Sequence, residues 1–140
     1  MKIFIDINHP AHVHYFRNII KIMESKGHTF VITNRDSKII NELLDAYHIQ
    51  HIIRNKRPIK KTLFKTVIYL LGIILACFKA VWKNKPDVFM GFGSFPLSFT
   101  AFFFHKPCIL IDDTEHNTIN HLLNKPFHPT ILVPYYFNLD

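Results

Sequence analysis

A short apolar run, Lys2 to Ile7, passes straight into an amphipathic helical pattern across Asn8-His9-Pro10-Ala11. The same strand-to-helix junction recurs down the chain. Lys2–Ile7, Thr29–Thr33, Ile49–Arg54, Val88–Gly91, Cys108–Ile111 and Ile131–Val133 read as strands, and helical spacing covers 11–26, 37–46, 61–83, 96–105 and 117–124. Strands separated by helices cannot close as hairpins, so they pair in parallel and need crossovers. Right-handed crossovers place the helices on both faces of the sheet. The expected architecture is therefore α/β: a Rossmann-like parallel sheet of about six strands, covered on both sides.

With 140 residues, 49% of them hydrophobic and 19% charged, the chain can bury the core of one domain and is excluded from the disordered class. It shows no internal repeat, low-complexity tract or interdomain linker. Cys77 and Cys108 sit inside apolar runs without metal or redox spacing, which points to buried free thiols and a reducing compartment. Asp6 and His9 interrupt the first apolar run too early for a secretory signal, so the expected location is cytoplasmic.

The net charge of +7 is concentrated: Arg54, Lys56, Arg57, Lys60, Lys61 and Lys65 precede the uncharged segment Thr66–Phe78. At 13 residues that segment falls short of the roughly 18–20 needed to cross a bilayer. A basic cluster beside an apolar helix suits the anionic inner face of a membrane, with peripheral attachment. A solvated loop leading into a core helix is the plainer reading. Nucleic acid is not expected as a partner, because aromatic residues are not interleaved with the basic ones in the way a stacking platform would need.

In the first helix, Val13, Phe16, Ile20 and Met23 form the stripe that packs on the sheet, and Gly27 ends it. At 100° per residue, His12 points to the side of that stripe and overhangs the carboxyl edge of the sheet. His14 points the other way, toward solvent or a partner.

Three strand ends carry the chemistry. The first is Asp6-Ile7-Asn8-His9-Pro10-Ala11-His12-Val13-His14, which meets the amino end of a helix with its unpaired N–H groups. The second is Gly91-Phe92-Gly93-Ser94-Phe95-Pro96, whose glycines permit close backbone approach and whose Ser94 can cap a helix. A tight turn is the structural alternative. The third is Asp112-Asp113-Thr114-Glu115-His116-Asn117, suited to holding sugar hydroxyls, orienting a base or binding a metal, or simply to capping the next helix. In a parallel sheet all three meet on one rim, where such folds bind ligands.

The residues of the first run, with Gly27-His28 after the helix, resemble the start of the domain-of-unknown-function family 354, and the run Asp112-Asp113-Thr114-Glu115-His116 matches its aspartate-threonine-glutamate-histidine signature. More distantly, the layout is similar to the amino-terminal lobe of glycosyltransferase-B enzymes, of the type that transfers N-acetylglucosamine in making lipid II. That resemblance puts the helix-leading histidine on His12 and the second glycine loop on Gly91-Phe92-Gly93-Ser94. It puts the polar loop on Asp113, Thr114, Glu115 and His116. The first glycine-rich loop is replaced by Asn8-His9-Pro10-Ala11, and Pro10 has no N–H to offer a phosphate.

The resemblance implies an amino-terminal, acceptor-side domain over residues 1–140, binding a sugar or lipid-linked glycan acceptor. A nucleotide-sugar donor would bind on a carboxyl-terminal lobe absent from this sequence, so the chain is expected to be inactive alone. The closing segment Val133-Pro134-Tyr135-Tyr136-Phe137 is then an apolar surface awaiting that lobe, or a chain cut. His12 is the expected general base. Asn8, His9, His14, Gly93, Ser94, Asp113, Thr114, Glu115, His116 and Asn117 are the expected substrate contacts, with no cofactor or metal required. Two other classes stay open: a metal-dependent hydrolase built on His12, Asp113 and His116, and a non-catalytic membrane-surface module.

Overall fold

Along the first strand Ile3, Ile5 and Ile7 alternate with Phe4 and Asp6, so a period of two sends the isoleucines to one face and Phe4 with Asp6 to the other. All five are buried, as befits a strand covered on both sides. The computed structural model describes residues 1–54, 62–113 and 118–135. In chain order its elements are β1 (Lys2–Ile7), α1 (Pro10–Ser25), β2 (Thr29–Asn34), α2 (Lys38–Ala46), β3 (Ile52–Ile53), α3 (Leu63–Asn84), β4 (Val88–Phe92), α4 (Phe95–Phe103), β5 (Cys108–Ile111), α5 (Thr118–Asn124) and β6 (Thr130–Leu132). The six strands form one sheet in the order β3-β2-β1-β4-β5-β6, and every pairing is parallel. The Rossmann-like α/β architecture read from the sequence is the one observed.

Two apolar layers hold it together. Ile3, Ile5 and Ile7 pack with Val13, Phe16 and Ile20 of α1 and with Ile40 and Leu44 of α2. On the opposite face Phe4 and Phe89 pack with Ile73, Cys77 and Val81 of α3 and with Leu97 and Ala101 of α4. Cys77 and Cys108 are buried free thiols, and burial raises the pKa of both.

Three departures from the sequence reading have physical causes. β3 is two residues long rather than six because Ile49 is used elsewhere: its N–H donates to Leu44 O and closes α2 around a left-handed His48. Arg54, read as part of a basic surface cluster, is buried; Lys65 of that cluster is exposed, while Lys56, Arg57, Lys60 and Lys61 lie outside the described residues. α3 does not stop where the uncharged segment stops. It runs on through Lys79 and Lys83 for 22 residues, and by length and composition it could cross a membrane. Only 22% of its apolar window is buried. Phe64, Val67, Ile68, Leu71, Leu75 and Trp82 face outward, beside Phe102 and Phe103 of α4.

Gly91 lies in β4 directly under α4. A Cβ placed there would stand 2.7 Å from Leu97 Cδ2, so this glycine answers to helix packing rather than to a ligand. Leu97 is fully buried and has little room to yield. Gly91→Ala is expected to destabilise the fold by about 1–3 kcal/mol, the usual cost of overpacking. Denaturant unfolding should show the loss, and the cost should shrink in the Leu97→Ala background, where the clash is gone.

Candidate functional site

The strand order reverses direction between β1 and β4, and loops leaving the carboxyl ends of those two strands diverge to opposite faces. This switch point leaves a crevice, which in open α/β sheets takes the ligand. His12 from the first turn of α1 and Phe92 from the end of β4 meet there. Their rings stack with centroids 4.1 Å apart and planes 14° from parallel. Tyr15 closes edge-on against Phe92, 5.1 Å between centroids.

His12, Tyr15 and Phe92 form one wall of a cleft of 310 Å³; Asp113 after β5 and Leu132 and Pro134 at the end of β6 form another. An apolar, aromatic cleft with an imidazole and a carboxylate on it suits a ligand with both apolar faces and hydroxyls. A larger groove of 710 Å³ lies between α1 and α2, among Arg17, Lys21, Glu24 and Tyr47. Its lining includes the last turns of α1 and the start of β2, away from the rim where the polar loops converge.

Beneath the cleft wall lies a buried polar cluster. Arg54 Nη2 donates to Asp6 Oδ1 at 2.7 Å and to Oδ2 at 2.9 Å, with both side chains 1% exposed. The same nitrogen donates to Asn8 Oδ1 at 2.7 Å, and Asn8 Nδ2 donates to Asp6 Oδ2 at 3.0 Å. Thr33 Oγ1, from β2 between the two charged strands, donates to Asp6 Oδ1 at 2.7 Å. Asn8 in turn donates its backbone N–H to His12 Nδ1 at 3.4 Å. Among the described residues, Arg54 Nε and Nη1 and Asn34 Oδ1 are buried without a hydrogen-bond partner. Sequence reading missed Arg54 as part of this cluster. The available signal was a pair of opposite charges closing two strands, Asp6 after Ile5 and Arg54 after Ile53, which a parallel sheet delivers to one edge.

The expected site residues separate accordingly. His12 and Asp113 share the cleft. Asn8 faces the ion pair. His9 is the amino-terminal cap of α1, its Nδ1 accepting from Ala11 N at 3.3 Å. His14 is turned away, as the projection requires, but toward α2: its Nδ1 lies 3.3 Å from the Tyr47 hydroxyl, so the structure does not bring it to the cleft. Gly93 takes φ +45° and donates its N–H to Ile111 O, tying the β4 loop to β5. Ser94 is buried at the cap position of α4 yet makes no capping side-chain bond. Gly93 and Ser94 hold the rim and do not line the cleft. Thr114, Glu115, His116 and Asn117 lie outside the described residues. Asp112 is buried, with His121 Nε2 of α5 at 3.0 Å from its Oδ2. Among the described residues no group of three or more His, Cys, Asp or Glu side chains gathers as a metal site, and His12 and His14 diverge.

The pKa of His12 falls from 6.5 to about 4. Burial is the leading cause and the positive side of His9 adds to it, with a smaller push from Arg35; Asp113 and Asp6 pull the other way. The ring is therefore neutral at pH 7.

Above pH 6.5 the ring is neutral in folded and unfolded chains alike, so its linkage contribution is fully present. As pH falls from 6.5 toward about 4 the unfolded chain takes up a proton that the folded chain refuses, and stability is lost. Denaturant midpoints at pH 7 and 4.5 should drop further for the wild type than for His12→Gln. Equal drops would mean that His12 titrates normally.

Comparison with known proteins fits this architecture. A relative in Methanocaldococcus jannaschii, an uncharacterized protein, is 28% identical over 134 residues, covering 96% of this chain and 39% of its own length. UDP-GlcNAc 2-epimerase from Neisseria meningitidis, solved with UDP-GlcNAc bound, superposes with a TM-score of 0.70 at 15% identity over 91% of this chain and 39% of that one. MurG from Acinetobacter baumannii superposes with a TM-score of 0.73 at 14% identity over 100% of this chain and 44% of that one. The chain thus spans about two fifths of the length of these proteins, and what it shares with the glycosyltransferase and the epimerase is the fold. The family model described as "Protein of unknown function (DUF354)" matches residues 1–140, and the chain belongs to that family.

Proposed function

We propose that this chain is the acceptor-side lobe of a glycosyltransferase-B-like protein that moves a sugar from a nucleotide-sugar donor to a glycan or lipid-linked acceptor. The observation that carries the reading is the cleft at the β1/β4 switch point, where a neutral His12 on an aromatic wall faces the same space as Asp113. An aromatic ring covers the apolar face of a sugar, and a carboxylate accepts from its hydroxyls. His12 stands at the reacting end of the acceptor. The proteins sharing this fold include one solved with UDP-GlcNAc bound, and the donor in this reading belongs to a second lobe.

The outer face of α3 and α4 supports a lipid-linked acceptor at the cytoplasmic face of a membrane. Leu71, Leu75 and Trp82 of α3 and Phe102 and Phe103 of α4 are exposed, and Phe103 packs on Phe78 so that the two helices make one apolar face. Lys65 and Lys83 of α3 and Lys106 after α4 are exposed as well. Together with the net charge of +7, that suits an anionic surface.

Two measurements test the reading. In a two-lobed protein carrying this sequence as its amino-terminal lobe, His12→Ala should lower sugar transfer at least ~10²-fold with unfolding midpoints at pH 7 changed little. Transfer at the wild-type rate would remove His12 from the site. The chain should also sediment with anionic vesicles, less so at high salt, and Leu71→Glu with Leu75→Glu should abolish it. Retention by the double variant would move the contact off α3.

A further inference from the structure

A general base needs an unprotonated nitrogen aimed at the proton it removes, and the surroundings of His12 arrange the opposite. Stacking on Phe92 fixes the plane of the imidazole, which leaves the ring two orientations related by a flip. Nδ1 is turned back to the Asn8 N–H, 3.4 Å away. A backbone N–H can only donate, so Nδ1 must be the ring nitrogen that carries the lone pair. In a neutral imidazole the proton then resides on Nε2, at the corner of the ring away from Asn8.

We infer that His12 serves the cleft as a neutral Nε2–H hydrogen-bond donor, locked in that tautomer by Asn8 and, behind it, by the buried Asp6–Arg54 pair. Asn8 cannot swing away from Nδ1 cheaply. Its side chain is held at both ends, by Arg54 Nη2 on the oxygen and by Asp6 Oδ2 under the nitrogen. Arg54 never reaches the cleft, so it acts as a positioning residue. A pKa near 4 agrees with this assignment, because so weak a base removes a hydroxyl proton poorly at pH 7, while a neutral N–H donor is at full strength.

The assignment defines what the cleft recognises. His12 offers a proton, so its partner is an oxygen acceptor, such as an amide carbonyl, a ring oxygen or a phosphate oxygen. Asp113, across the same cleft, accepts from hydroxyls. A sugar bearing both an acceptor oxygen and a hydroxyl on one edge, with an apolar face toward Phe92 and Tyr15, satisfies all of these. The tautomer stands on local geometry alone; the identity of the bound sugar rests on the function proposed above.

Long-range ¹H–¹⁵N spectra of the intact chain at pH 7 read the tautomer directly. The expected pattern for His12 is a protonated Nε2 and a bare Nδ1, and a protonated Nδ1 would overturn the inference. Asn8→Ala and Arg54→Lys, each judged by melts to remain folded, should convert the single pattern into a mixture. An unchanged single tautomer in both would sever His12 from the ion pair. In the two-lobed protein, the side-chain amide of His12→Gln can replace an N–H donor but not a base. That variant should keep transfer within about tenfold of wild type, where His12→Ala loses ~10²-fold. Equal loss in both variants would reject the donor role. A chain with the expected spectrum but wild-type transfer in His12→Ala would reject the proposed function and leave the tautomer intact.

Discussion

The buried ion pair between Asp6 and Arg54 is the interaction on which the working edge of this sheet depends. It spans β1 to β3 across β2, with Thr33 supplying a further hydrogen bond from the strand between. As a source of stability it is poor. Desolvating two charges offsets most of their attraction, and among the described residues Arg54 Nε and Nη1 find no hydrogen-bond partner. An apolar pair of similar volume would hold the strands at least as firmly. What the ion pair supplies is position: it grips Asn8 at the point where β1 gives way to α1, and Asn8 sets the ring of His12.

Topology supplies the rest of the site. The order β3-β2-β1-β4-β5-β6 places the ends of β1, β4, β5 and β6 side by side, so residues far apart in the chain share one cleft without any long loop. His12 follows β1 in the first turn of α1 and Phe92 ends β4, and these two strands pair directly, Asp6 opposite Gly91, so the short connections after each leave little freedom to the two side chains. Burial of the His12 ring against Phe92 has a chemical consequence beyond packing. It removes the water that would stabilise an imidazolium, and so holds the ring neutral in the range where most exposed histidines begin to charge.

Much of this was legible in the sequence, and particular residues show why the remainder was not. The strand-helix rhythm located every strand, since alternation of Ile3, Ile5 and Ile7 and the stripe Val13, Phe16, Ile20 are period signals that tertiary context reinforces. The end of α2 was harder. His48 adopts a left-handed conformation usually announced by glycine, so Ile49 looked like a strand residue. Arg54 was misplaced because its neighbours in sequence are basic, and composition assigns such a run to solvent. Burial of one member depends on a carboxylate 48 positions away. His9 and His14 looked like ligands for a related reason: three histidines in one turn read as a cluster, yet helical geometry gives each a different direction and a different partner.

Apolar content has two separate uses in α3. Its inner residues Ile73, Cys77 and Val81 complete the core beneath Phe4 and Phe89, so the helix is anchored to the sheet and cannot leave it without exposing that layer. Its outer residues Leu71, Leu75 and Trp82 are exposed among the described residues, and a contiguous apolar surface of this kind marks an interaction site. Cys77, on the inner face, lies within electrostatic reach of both Asp6 and Arg54. One helix therefore completes the core with its inner side while presenting an apolar surface on the other.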